Sequence, residues 1–323
     1  MYYGKDFAIE TKDWLSADLL ILQLIGHPKR SNLVCAQEVG FSDDLFAITD
    51  LMDDIDMKIV TIPLCNIMPS EFYAKLFYKS LLTWTYLDVY KYMETQKVNL
   101  DNIGRYMASF MSRGINNFSR SPLGVDPGNF YIDGSKKQFL IYCFGFDEKT
   151  ESIDLVYEAI KKIDSPMKML HSGRRLNYDP EYYQFIEPAR FGDWSSVRQR
   201  YNLSYFANGL RKDAILEGGF EMCNIEAPLC DCIPITYNFD CYTHWFGKEN
   251  NNGHAISKFI SYENTVDELC ALFSDALEII HGVKKDEGHK EWLLHAQENI
   301  YDKFMWYEVG ADFWKKVLKG VEK

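Results

Sequence analysis

Between residues 138 and 281, short apolar runs alternate with longer amphipathic stretches. The pattern predicts strands at 138–144, 166–171, 183–187, 203–207, 232–237 and 256–260, and helices at 151–163, 193–200, 224–230 and 263–281. The strand segments are apolar at consecutive rather than alternate positions, so both faces are expected to be buried, as in a parallel sheet covered on each side. Regular β/α alternation of this kind predicts a doubly wound α/β domain. The tail, 288–319, reads as helical and carries Trp292, Phe304, Trp306 and Trp314. Ahead of residue 120 the signal is sparser. Apolar runs at 19–24 and 58–64 predict strands, and 42–56, 69–96 and 102–118 predict helices, the second because nothing after Pro69 breaks it. Between the halves, 119–137 gathers Pro122, Gly124, Pro127, Gly128 and Gly134 just before an apolar strand, which marks a domain boundary.

Composition narrows the class. With 47% hydrophobic and 15% aromatic residues the chain has ample material for a core, which excludes disorder. Its 323 residues are about twice a common domain of roughly 150, so two domains with a cleft between them are expected. Thirty-five basic against 47 acidic side chains leave a net charge of -12, which argues against a protein that coats nucleic acid and suits a small substrate. The longest apolar run, 17–26, is half the roughly 20 residues a spanning helix needs, and no basic stretch followed by an apolar one comes after Met1. A cytoplasmic protein without stable membrane insertion is therefore expected. The eight cysteines lie mostly in apolar segments, without paired CxxC spacing, and read as buried free thiols.

Chemistry concentrates after the strands of the second half. Glu217-Gly218-Gly219-Phe220-Glu221 precedes the predicted helix carrying Glu226. A glycine pair lets backbone approach a ligand, a helix N-terminus offers N–H groups to a phosphate, and a carboxylate one turn in can accept from sugar hydroxyls. A plain glycine turn with glutamates favoured by the helix dipole fits the same residues. Residues 171–212 also hold seven basic side chains (Arg174, Arg175, Arg190, Arg198, Arg200, Arg211, Lys212) against four acidic ones, a reversal of the global charge. Arg198 and Arg200 fall in a short amphipathic run and read as solvated helix charges.

The run from Gly219 to Ala227, continued through Cys230-Asp231-Cys232-Ile233-Pro234-Ile235, resembles the signature of retaining GT-B glycosyltransferases, the family 4-like group that includes compact phage-type enzymes. Three further landmarks occur in the family's order. Pro122-Leu123-Gly124-Val125-Asp126 with Phe130 is similar to the interdomain segment, 139–145 with Lys149 is similar to the strand, glycine and lysine that open the donor domain, and Phe304-Met305-Trp306 is similar to the start of the returning C-terminal helix. The likeness covers about 120–320. Two departures stand out: eight residues, not seven, separate Glu217 from Glu226, with Gly218 at the strict position, and the first domain lacks the usual glycine-rich loop.

The resemblance implies a GT-B α/β fold of two Rossmann-like domains facing a cleft. An acceptor-side domain would span 1–121, a linker 122–137, a nucleotide-sugar domain 138–300 and a helix returning to the first domain 301–323. It implies transfer of a hexose from a nucleotide-diphosphate sugar, a UDP-sugar foremost, to an acceptor hydroxyl with retention, the donor being a co-substrate and no cofactor being needed. Glu226 would bind the ribose hydroxyls, Gly218, Gly219 and Phe220 would form the donor turn, Lys149 and Arg211 would face the diphosphate, and either Glu217 or Glu221 would meet the donor sugar. The loop from Glu187 to Arg190 would hold the base. His27, beyond the first strand, either faces the donor sugar or is structural, and Tyr242-Thr243-His244-Trp245 either lines the acceptor cleft or packs.

Asp53-Asp54-Ile55-Asp56 lies in an acidic amphipathic stretch rather than after a strand, so metal-independent transfer is expected. The acceptor stays open. Modified duplex DNA bearing hydroxymethylated pyrimidines is a specific alternative to a small acceptor, a non-catalytic nucleotide-sugar binding protein is another reading, and a sugar epimerase a further one.

Overall fold

The computed structural model describes residues 19–24, 58–63, 81–85, 118–120, 123–145, 151–190, 192–210, 222–237, 260–261, 263–280 and 289–321. The chain divides into two compact units, Met1–Pro122 with Gly310–Lys323, and Leu123–Val309.

In the first unit four parallel strands lie side by side in chain order: β1 (Leu19–Leu24), β2 (Lys58–Pro63), β3 (Leu82–Thr85) and β4 (Phe118–Arg120). Val60 and Leu82 are buried and pair with one another across β2 and β3. β3 corrects the sequence reading, which runs one helix through 69–96. Thr83 and Thr85 are β-branched and flank Trp84, a triplet that suits a pleated surface, and freedom from Gly and Pro does not separate a helix from a buried strand. Likewise Phe118, read as the last residue of a helix, opens β4.

The second unit is built on a six-stranded parallel sheet in the order β10-β9-β8-β5-β6-β7. Its strands are β5 (Phe139–Gly145), β6 (Met169–Gly173), β7 (Tyr183–Ile186), β8 (Ser204–Gly209), β9 (Ile233–Tyr237) and β10 (Ile260–Ser261), each pair parallel. Its helices are α1 (Ile153–Lys162), α2 (Trp194–Leu203), α3 (Cys223–Glu226), α4 (Val266–Ile280) and α5 (His289–Lys303), and a last helix, α6 (Trp306–Val321), begins in this unit and from Gly310 on belongs to the first. β5 is apolar throughout its centre, and Leu140, Ile141 and Cys143 are fully buried. Burying a Leu or Ile contributes about 1.5–3 kcal/mol, so this strand anchors the sheet. α1 turns Ile153, Val156, Tyr157 and Ile160 inward at helical spacing and packs against α4.

The crossover from β6 to β7, residues 174–182, contains no helix. Tyr178 of this segment stacks on Tyr157 of α1, with ring centroids 3.9 Å apart. Near the second unit's ends, Val125 donates its N–H to the Phe304 carbonyl at 2.7 Å and accepts from Trp306 N–H at 3.1 Å, forming a one-residue parallel bridge with Met305. Among the described residues no helix is long and apolar enough to cross a membrane. The described cysteines are free thiols, as read from the sequence: Cys143, Cys230 and Cys232 are buried as expected, whereas Cys223 and Cys270 are half-buried.

Candidate functional site

The chain of the second unit leaves β5 toward β6 and β7, then returns to β8, β9 and β10 on the other side. The switch point therefore lies at the C-terminal ends of β5 and β8, where open parallel sheets take their ligands. β5, β6 and β8 all end on glycine: Gly145, Gly173 and Gly209. Gly173 has φ +129°, and a Cβ there would lie 1.8 Å from the Gly145 carbonyl oxygen. Only glycine lets these two strand ends meet. Phe144 beside this edge is 52% exposed, and its i, i+2 spacing puts it on the same face of β5 as Tyr142.

Glu226 sits at the end of α3 on this part of the unit, since Gly209 approaches Asn224 so closely that a Cβ would fall 2.9 Å from the Asn224 side chain. The carboxyl is 7% exposed and accepts a 3.0 Å hydrogen bond from the Tyr201 hydroxyl. Burial, eased only by that hydroxyl, pushes its pKa up to about 7. Tyr201 is pushed above its ordinary range by its own burial and by the nearby carboxylate. Its ring meets Tyr142 edge-on at 5.5 Å and lies 6.2 Å from Phe130, the landmark phenylalanine of the interdomain segment.

Arg200 departs from the sequence reading. It is 4% exposed rather than solvated. Nη2 donates to the Glu187 carbonyl at 2.7 Å, and Nη1 reaches Ser172 Oγ at 3.0 Å and the Tyr142 hydroxyl at 3.3 Å, while Tyr142 and Ser172 hydrogen-bond each other at 2.8 Å. Its Nε is buried without a hydrogen-bond partner among the described residues. Those residues offer it no ion pair. Arg198 also departs from the solvated reading: it is half-buried, with its Nε covered, its Nη1 donating to the Asn129 carbonyl at 3.3 Å and its guanidinium 4.2 Å over the Tyr131 ring. A buried guanidinium and a buried carboxyl, each held by neutral groups, are costly to the fold, which marks this region as a candidate site.

Of the residues that the resemblance assigns to the donor site, the structure describes Glu226, Glu187 and Arg190. Arg190 is exposed just beyond β7, and its carbonyl accepts from Asp193 N–H at 2.9 Å, at the start of α2. His27, Lys149, Arg211, Glu217, Gly218, Gly219, Phe220 and Glu221 lie outside the described residues, as do 53–56 and 242–245. The predicted helix 224–230 is corrected. α3 is a four-residue turn, followed by a 3₁₀ turn at Pro228–Cys230 that ends on left-handed Asp231. Pro228 supplies no N–H and starts a new turn, so little aligned dipole is left to face a phosphate. Tyr142, Ser172, Arg200 and Tyr201 were not legible as a group, because their partners lie 13 to 58 residues away. Among the described residues there is no cluster of three His, Cys, Asp or Glu able to hold a metal ion.

No protein-family model matches the sequence, and no curated protein matches it. Solved structures do. HepE of Anabaena in complex with UDP aligns with a TM-score of 0.59 at 9% identity over 94% of this chain and all of that one. Trehalose 6-phosphate synthase of Burkholderia multivorans gives 0.59 at 8% identity over 97% of this chain and 73% of the other. Sucrose-phosphate synthase of Thermosynechococcus elongatus gives 0.57 at 10% identity over 85% and 71%. With these neighbours, GT-B glycosyltransferases, the parallel sheet and its covering helices identify the fold as GT-B.

Proposed function

We propose that the protein is a glycosyltransferase that moves a hexose from a UDP-sugar to an acceptor hydroxyl with retention of configuration and without a metal ion. The observation that carries the reading is the Glu226 carboxyl, buried beside the switch point with a hydroxyl as its partner, in a fold whose similar structures include HepE in complex with UDP and with UDP-glucose. A carboxylate so placed accepts from the paired hydroxyls of a ribose, and gains there the hydrogen bonds that burial denies it. Lys149 and Arg211 are assigned to the diphosphate, Gly218, Gly219 and Phe220 to the donor turn, Arg190 with Glu187 to the base, and Glu217 or Glu221, with His27, to the donor sugar.

The bond from the anomeric carbon to the diphosphate oxygen breaks as the bond from that carbon to the acceptor oxygen forms. The acceptor proton passes to the departing phosphate, so atoms and charge balance without a further carboxylate. Cations at the diphosphate stabilise the charge that grows on the leaving group.

The test is nucleotide release from UDP-, GDP- and ADP-sugars, with and without hydroxymethylated duplex DNA. Release with UDP-glucose that Glu226→Ala abolishes supports the reading. A wild-type protein that releases nothing and binds no nucleotide overturns it, and release that requires the modified DNA assigns the acceptor.

A further inference from the structure

We infer that Arg200 is the positioning residue that sets nucleotide choice, by fixing the backbone that leaves β7 at Glu187 relative to the carboxyl that its neighbour Tyr201 holds at Glu226. The inference rests on the donor reading above. Arg200 and Tyr201 are consecutive in the last turn of α2, and each reaches a different part of the site. Tyr201 ties α2 to α3. Arg200 ties it to the exits of β7 and β6 and to the body of β5, through the Glu187 carbonyl, Ser172 and Tyr142.

The geometry suits a jig. A guanidinium is a rigid planar fork, so three acceptors, on β5, on β6 and just beyond β7, define its plane, and the 2.8 Å bond between Tyr142 and Ser172 fixes two of them against each other. The four-residue segment from Glu187 to Arg190 is then pinned at both ends, at Glu187 by Arg200 and at Arg190 by the N–H of Asp193. Asp193 is itself fastened as the N-cap of α2, accepting from Ser196 N–H at 3.2 Å. A backbone held this way presents its amide and carbonyl groups in one arrangement. A planar base whose edge matches that arrangement is accepted, and one with the opposite donor and acceptor pattern leaves polar groups unpaired. The length of the reach also matters. Lysine keeps the charge and three donors but carries them on one nitrogen, which cannot span the Glu187 carbonyl and the two hydroxyls as the separate Nη2 and Nη1 of the fork do.

The experiment measures dissociation constants of the full chain for UDP and for ADP by calorimetry, with melting curves confirming the fold of each variant. Wild type is expected to prefer UDP by about tenfold or more, the worth of one or two base-edge hydrogen bonds. Arg200→Lys is expected to weaken UDP and bring the two nucleotides within about twofold, and Ser172→Ala, which leaves the arginine in place but removes one of its guides, to move the ratio part of the way. Tyr201→Phe is expected to weaken both nucleotides alike and keep the preference, which a general loosening of the fold would not do. A ratio unchanged in Arg200→Lys and Ser172→Ala overturns the inference while leaving the donor reading intact, as does a wild type without preference. A wild type that binds neither nucleotide overturns both.

Discussion

The two ends of the six-stranded sheet treat charge in opposite ways. At the N-terminal end, just before β5, Lys137 directs its ammonium to the carbonyls of Tyr201, Cys230 and Asp231 at 3.4, 3.3 and 2.6 Å. Those carbonyls close α2 and the 3₁₀ turn after α3, where helix dipoles are negative, so the cation neutralises the groups most in need of it. Toward the C-terminal end, Glu226 and Arg200 are buried and held by hydroxyls and a carbonyl. Opposite charges within one small unit that are not spent on each other are a poor way to stabilise a fold and a good way to keep a site ready. On the donor reading proposed above, one end of the sheet serves stability and the other a ligand.

That division can be broken from either end. The largest effect is expected from Gly173→Ala, which forces a Cβ against the Gly145 carbonyl at a positive φ and should remove roughly 3 kcal/mol or more of stability, read from urea unfolding. Next comes Glu226→Ala, expected to weaken UDP about 100-fold while leaving the unfolding midpoint unharmed, since a charge-accepting site is lost and a buried carboxyl is removed. Lys137→Met should do the reverse, costing about 1–2 kcal/mol of stability with UDP affinity unchanged. The smallest effect is a pH dependence. The groups facing Glu226 among the described residues are Tyr201, with Cys223 and Cys230 nearby, and its pKa of about 7 means that lowering the pH from 8 to 6 should weaken UDP by about tenfold in calorimetric titrations.

Much of the second unit was legible in the chain because its signals are local. The apolar runs at 138–144 and 203–207 and the amphipathic run at 151–163 match β5, β8 and α1 to within a few residues. Glu226 was legible for the same reason, lying in a short motif with Phe220, Ala227 and Pro234. β3 was not, because the Thr83-Trp84-Thr85 triplet is recognisable as a strand only once β2 is there to pair with it. Arg200 was misread because α2 has little amphipathic contrast, and its last turn is buried through Arg200, Tyr201 and Asn202 rather than through aliphatic residues. Only the tertiary partners, Tyr142 and Ser172 on neighbouring strands, separate a buried arginine from a surface one. The sequence did hint at this region through its basic island, but four of those seven side chains now have distinct settings. Arg200 is buried, Arg198 lies over Tyr131, Arg175 sits 5.1 Å over Phe185, and Arg190 is exposed beyond β7.

If Glu226 is buried for a ligand at the expense of the fold, the thermal stability of Glu226→Gln across pH will show it. Because burial raises the carboxyl from 4.5 to about 7, the folded protein holds a proton that the unfolded chain releases, so wild-type stability should fall as pH rises through that window and stay reduced above it. Glutamine removes the titration. Glu226→Gln is expected to melt above wild type at pH 8, with the gap closing toward pH 4.5, and to lose UDP binding at pH 8. A variant that melts below wild type at pH 8, or that binds UDP as wild type does, would contradict it.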